Sequence, residues 1–266
     1  MLIIGEKLNS AIPSVRQIME EKDVAAVQDL ALRQAAAGAH YLDVNTAHCS
    51  DEIAYMEWIV RTVQEVTDAP LCIDSTVGPV IEKALETVKG DKSRVLINSI
   101  SLEKNRLEQV LPLILEYQCP VIGLTVDDNG IPKTVEDRIN IAERMVELLS
   151  KHNYNLDNLY IDPLVLPLAV NHANAVIFFQ CLSEIKRLFK VKTVSGLSNI
   201  SFNMPKRKLI NRYFLAICMA HGMDAAILDP LDNKIMTAVT TVELLLGNDP
   251  FGKNFLKAYR KGTLED

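Results

Sequence analysis

Several short apolar runs in the chain end in the same way, on an acid or an amide. YLDVN carries Asp43 and Asn45, LCIDS carries Asp74, LINS carries Asn98, LYIDP carries Asp162, GLSN carries Asn199 and ILDP carries Asp229. Each such residue has a local use, because Asp and Asn just past a strand cap the next helix or close a turn on their own backbone. Asp74, Asn98 and Asp162, however, follow directly on β-branched or Leu residues, before any turn residue. That spacing predicts the last inward position of a strand, where a helix cap has no use for them. A carboxylate accepts two donors side by side, whereas an Asn amide offers one donor and one acceptor. An Asp, Asn and Asp set, with no Cys pair and no nucleophilic serine elbow, suits the edge of a neutral heterocycle that mixes donors with acceptors.

Short apolar runs alternate with longer segments of helical period throughout, the pattern of a parallel sheet built from βα units. Strands are expected at 2–5, 41–44, 71–73, 95–97, 121–124, 159–161, 193–196 and 225–228. Eight such units in 266 residues predict an α/β fold of the (β/α)8 barrel type, which typically takes about 250 residues and builds its site at the C-terminal ends of the strands. The punctuation agrees. Asp23 is placed to cap the helix that begins VAAV, and Gly38, Gly90 and Gly222 each stand between a helix and a strand, where a left-handed residue ends the helix. Pro79 falls in a first helical turn, and Thr134 with Asp137 resembles a capping box after the fifth strand. No linker divides the chain, so residues 1–266 read as one barrel domain, with 249–266 as an added helix and tail.

The net charge of −6 gives no support for a nucleic-acid partner, which needs clustered Lys and Arg. No apolar run reaches the ~18 residues of a membrane span, and the N-terminus lacks the basic and apolar regions of a signal peptide. A cytoplasmic protein is expected. Cys49, Cys72, Cys119, Cys181 and Cys218 show no metal-ligand spacing, so no metal site is expected. The five histidines are scattered; His48, after the second strand, is the one placed to reach the mouth.

A 2-amino-4-oxo pterin has the mixed edge that the Asp, Asn and Asp set suits. The motifs IIGEKLN, YLDVN, AYMEWIV, LCIDST, LINS, IGLT with GIPK, LYIDPLVLP, GLSNISFN and LINRYFLA occur in this order along nearly the whole chain. In them the chain resembles the pterin-binding barrel family, and within it the methyltetrahydrofolate:corrinoid protein methyltransferases. The resemblance implies that Asp74, Asn98 and Asp162 grip the pterin edge and that Asn199 hydrogen-bonds N5, the atom that gains or loses the methyl group. It implies that Glu6, Asn9, Asp43, Gly196 and Ser198 line the cleft and that Arg207 stands near the folate tail. Phe202 stands where that group carries Gln. Dihydropteroate synthases in the family carry a Ser-Arg-Lys-Ser-Phe run after the seventh strand; here the run is Ser198-Asn199-Ile200-Ser201-Phe202, without the Lys of synthase chemistry.

The expected activity is therefore methyl transfer between N5 of tetrahydrofolate and a methylcobamide, with methyltetrahydrofolate as the product of a demethylation pathway. The alternatives are the methyltransferase of the corrinoid/iron-sulfur protein, a dihydropteroate synthase-like enzyme, and a folate-binding protein without catalysis. No DxHxxG cobalamin motif is present, so the corrinoid has to arrive on a partner protein docked over the barrel mouth. Lys206, Arg207 and Lys208, with Arg212, could meet the anionic folate tail or an acidic patch of that partner, or form a solvated helix start. The resemblance also implies a homodimer.

Overall fold

The computed structural model describes residues 1–265. Eight strands pair in chain order, all parallel: β1 (Leu2–Asn9), β2 (Tyr41–Asn45), β3 (Leu71–Asp74), β4 (Leu96–Leu102), β5 (Val121–Asp127), β6 (Leu159–Asp162), β7 (Lys192–Gly196) and β8 (Ala225–Leu228). Because β8 pairs back onto β1, the sheet closes on itself, which leaves no edge with unpaired backbone groups. Two helices, α1 (Pro13–Glu20) and α2 (Val24–Ala36), follow β1. One helix then follows each of the next strands: α3 (Glu52–Gln64), α4 (Gly78–Thr87), α5 (Lys104–Tyr117), α6 (Val135–Lys151), α7 (Asn174–Phe189), α8 (Arg207–Ala220) and α9 (Asn233–Leu245). The expected C-terminal helix is α10 (Lys253–Arg260), whose first turn is held by the Asp249 carboxylate accepting from the backbone N–H of Asn254 and Phe255.

The expected punctuation is in place. Asp23 accepts from Ala26 N–H at 3.0 Å, and Thr134 accepts from Asp137 N–H at 3.1 Å. Gly38 takes a φ of +99°, the left-handed conformation that a side chain would strain. Three strands run several residues further than expected, β1 to Asn9, β4 to Leu102 and β5 to Asp127, while β2, β3 and β6 each gain one residue. Each of the three longer strands carries a register shift, in β1 between Gly5 and Leu8 and in β4 and β5 beyond Asn98. A bulge lets pairing resume after an interruption that the period-2 pattern cannot show.

The strand period explains how the mouth is built. Ile4, Cys72, Leu96, Ile122, Tyr160 and Val194 belong to one apolar cluster, formed by the inward faces of their strands. Two residues further on, the same face carries Glu6, Asp74, Asn98, Leu124, Asp162 and Gly196, because alternate residues of a strand point the same way. A largely polar layer thus lies on an apolar one. The larger core clusters, with Leu42, Val44, Ile73, Ile97 and Phe178 among their members, pack the outward faces of the strands against the helices.

Candidate active site

Asp74 and Asn98 stand side by side in the register of β3 and β4, and Asn45 stands on the other side of Asp74. The Asn45 amide donates to Asp74 Oδ2 at 2.9 Å, while Asn45 Oδ1 accepts from Ser10 Oγ and Ala47 N–H. Across the ring, Asp162 ends β6 and its Oδ1 accepts from Leu164 N–H at 2.7 Å. Local turn bonds and an inward position therefore coexist at Asp162 and Asn45, each keeping capacity for a ligand. Asp43 is paired with Cys72, one layer below the Asp74 row, and is only 1% exposed. Its Oδ1 has no hydrogen-bond partner among the described residues.

Burial dominates the electrostatics of this ring. It lifts Asp74 to about 6 against the opposing pull of the Asn45 amide and the Arg106 guanidinium. It lifts Asp162 to about 7, opposed by Leu164 N–H and the Arg138 charge. Asp43 is raised well above the carboxylate range by burial and then by the charge of Asp74. Asp74 and Asp162 can each gain or lose a proton near neutrality, so they can meet a ligand edge either as acceptors alone or as donors.

A second corner is built where β1 meets β7 and β8. The β1 bulge brings both Glu6 and Lys7 to the mouth, where they line a cavity of about 580 Å³ together with Asn9, Ser198, Arg207 and Asp229. Glu6 Oε1 accepts from Ser198 Oγ at 2.9 Å, and Lys7 Nζ pairs with Asp229 at 3.1 Å. Burial raises Glu6 to about 7; the Ser198 hydroxyl, Lys7 and Arg207 pull it down, and Asp229 pushes it up. Asn9 turns its own loop by accepting from Ala11 N–H. The Lys206 to Lys208 run is not a free cationic patch: Arg207 donates to Ser201 Oγ and to the Ser198 carbonyl, and Lys208 pairs with Asp232. Phe202, 54% exposed, stands at the rim of the same cavity.

Asn199 lies in the 3-10 helix Leu197–Ser201 directly after β7, exposed, and its side chain makes no hydrogen bond among the described residues. The absence of a side chain at Gly196 makes room for it, since a Cβ there would stand 3.0 Å from Asn199 Nδ2. Asp74, Asn98, Asp162, Gly196 and Asn199 thus gather at the C-terminal ends of β3, β4, β6 and β7, while Glu6, Asn9, Ser198 and Arg207 gather at the cavity beside β1. Sequence reasoning missed Arg106, Arg138 and Asn211. Arg106, on α5, donates to the Ser75 carbonyl and faces Asp74, 32 positions earlier, so no local spacing gives it away. His48 sits exposed in the loop after β2, its backbone held by Ser10 Oγ.

The family described as pterin binding enzyme matches residues 5–229 of this chain. Over 99% of the chain and 98% of the relative, it is 39% identical to the methylcorrinoid:tetrahydrofolate methyltransferase of Eubacterium limosum. It is 31% identical to the methionine synthase of Mycobacterium leprae over 85% of the chain, which spans only 20% of that longer relative. Among solved structures it is similar in fold to a dihydropteroate synthase of Xanthomonas albilineans bound to 4-aminobenzoic acid, with a TM-score of 0.69 over 94% of this chain and 92% of that one at 16% identity. A dihydropteroate synthase of Yersinia pestis superposes with a TM-score of 0.67 at 17% identity, covering 92% of this chain and 93% of that one. At such identities the likeness is one of fold, whereas the family match and the full-length relative concern the sequence itself: the chain belongs to the pterin-binding enzyme family.

Proposed function

We propose that the protein is a methyltransferase that moves a methyl group from the methylcobamide of a separate corrinoid protein to N5 of tetrahydrofolate. The observation that carries this reading is the 39% identity to the Eubacterium limosum enzyme along both full lengths. The site has the chemistry that the reaction needs. Asp74, Asn98 and Asp162 offer two carboxyls and an amide to the 2-amino-4-oxo edge of a pterin, and the raised Asp74 and Asp162 can match whichever protonation state that edge prefers. In the cavity, Arg207 and Lys208 are the cations placed to meet the anionic folate tail.

The corrinoid supplies the methyl group as a carbon–cobalt bond and keeps the electron pair when that bond breaks. The barrel contributes orientation. The unpartnered Asn199 amide accepts the N5–H hydrogen bond and aims the nitrogen lone pair at the incoming carbon, an interaction that strengthens as charge develops on nitrogen. Replacement by Ala is expected to lower the transfer rate at saturating tetrahydrofolate by roughly 10²-fold, the scale of one lost transition-state hydrogen bond. Single-turnover kinetics with a methylated corrinoid give the rate directly, and an unchanged rate in Asn199→Ala would sink the assignment.

Within this reading the whole chain, 1–266, acts as one pterin-binding domain with a short C-terminal extension, and the protein is cytoplasmic. All five cysteines are unpaired, which suits a reducing compartment, and among the described residues no helix is long and apolar enough to cross a membrane. A homodimer has a natural surface. Leu209, Tyr213 and Ile217 stand exposed at four-residue spacing on α8 beside Val176 of α7, next to an apolar groove of about 360 Å³ that includes Leu168, Phe179 and Ile200.

A further inference from the structure

We propose that Glu6 is the proton acceptor of the methyl transfer: once N5 has bonded to the methyl carbon, the N5–H proton leaves its hydrogen bond to Asn199 and passes to the Glu6 carboxylate, directly or through one water. The inference rests on the methyl-transfer reading above and assigns a residue to a step that reading leaves open. Tetrahydrofolate enters as a secondary amine and leaves as a tertiary one. The N5–carbon bond forms with the nitrogen lone pair, the carbon–cobalt bond breaks with its electrons left on cobalt, and the alkylated nitrogen must shed its proton. Asn199 cannot take it, because a neutral amide neither gains nor loses a proton in this range.

The other groups of the mouth are otherwise engaged. Asp74 and Asp162 meet the pterin edge in the proposed reading, and Asp43 is sealed one layer below. Lys7 is tied to Asp229. Glu6 remains. Its Oε1 is held by the Ser198 hydroxyl, one residue before Asn199, and its Oε2 has no hydrogen-bond partner among the described residues, while the side chain lines the open cavity. Ser198 is itself fixed: Arg207 Nη2 donates to its carbonyl at 2.8 Å and Asn211 Nδ2 stands 3.5 Å from its hydroxyl. Glu6 and Asn199 are thereby positioned as one unit, so a base and an orienting amide approach the same atom from a shared anchor.

The charged groups facing Glu6 come from every neighbouring strand and helix: Lys7 on β1, Asp43 on β2, Asp229 after β8 and Arg207 on α8. Their pulls are opposed, and burial raises the group to about 7. A carboxylate of that basicity both accepts a proton and returns it at neutral pH. In the reverse direction it hands the proton to N5 as the methyl group departs, which turns a poor leaving amine into a better one.

The test is single-turnover transfer from methylcobalamin to tetrahydrofolate under anaerobic conditions, followed through formation of cob(I)alamin from about pH 5 to about pH 9. The rate of the unaltered protein is expected to rise through an inflection near neutrality and then level off. Glu6→Gln should be slower by about 10²-fold and lose that inflection, with tetrahydrofolate affinity changed by no more than about three-fold. Glu6→Asp should restore part of the rate and the inflection with it. A Glu6→Gln rate close to that of the unaltered protein, with the same inflection, overturns the proposal; so does a loss of affinity that accounts for the whole loss of rate, which would make Glu6 a binding residue. If the unaltered protein transfers no methyl group at all, the methyl-transfer reading itself falls, an outcome visible before any substitution is compared.

Discussion

Asp162 is lifted by burial from an ordinary 3.8 to about 7, and the sign of that shift fixes what its replacement does. The folded protein holds this proton more tightly than the unfolded chain. The stability it brings is complete below about pH 4 and is lost as pH rises through about 7, so above neutrality the ionised group weakens the fold. A span of about three pH units corresponds to an order-of-magnitude penalty of 4 kcal/mol. Asp162→Asn is neutral at every pH and keeps an oxygen for Leu164 N–H, so at pH 8 it is expected to be more stable than the unaltered protein by roughly 2–4 kcal/mol, with little difference near pH 4. Urea unfolding at the two pH values checks this, and equal stability at pH 8 would contradict it. Pterin affinity should fall in the same variant. At this scale Asp74, Asn98, Asp162 and Asn199 were legible because each ends an apolar run. The depth of Asp43 was not legible because 43 and 45 share a face, and which of them reaches the rim depends on how far β2 is staggered against β3, a tertiary quantity. The Glu6–Ser198 and Arg106–Asp74 relations were illegible for the same reason.

At the scale of elements, the turn after β6 is held by a helix on the far side of its neighbour. Arg138 of α6 is 1% exposed, and its Nη1 donates to the carbonyls of Pro163 and Leu164 at 2.6 and 2.8 Å, while Nε reaches the Pro132 carbonyl at 3.3 Å. The guanidinium therefore ties the loop after β5 to the turn in which Leu164 adopts a left-handed φ of +66° and donates to Asp162. Arg138→Met fills similar space but leaves buried carbonyls without donors; it is expected to cost about 3 kcal/mol in urea unfolding and to weaken folate binding, since Asp162 loses its frame. An Arg in a helix as charged as VEDRINIAERM reads from sequence as a surface residue, so nothing local marks it as a clamp. The strands themselves were legible in their Val, Ile and Leu runs. Their ends in β1, β4 and β5 were not, because bulges break the alternation by which a strand is read.

For the whole molecule, eight repeats of strand and helix in a chain of this length left little but a closed barrel, and the parallel pairing of β8 with β1 completes it. The assembly surface is a separate matter, since apolar residues on an outer helix look like core positions until the barrel shows which side faces out. Tyr213 is 63% exposed in the middle of the α8 stripe. Tyr213→Glu places a charge there without touching the mouth, and it is expected to convert the proposed dimer to monomer in light scattering while leaving thermal stability of the barrel within about 0.5 kcal/mol. A monomeric parent protein would overturn the assignment of this face. The seam between the first and last strands has its own consequence. Glu6 and Ser198 are 192 positions apart along the chain, and Lys7 and Asp229 are 222 apart. Contacts this non-local are among those with the largest loop-closure entropy in the molecule. A chain still emerging from the ribosome has no completed corner around Glu6 until Ser198 and Asp229 have both been added. The corner around Glu6 therefore exists only where both ends of the chain meet, and a barrel left open at that seam lacks it.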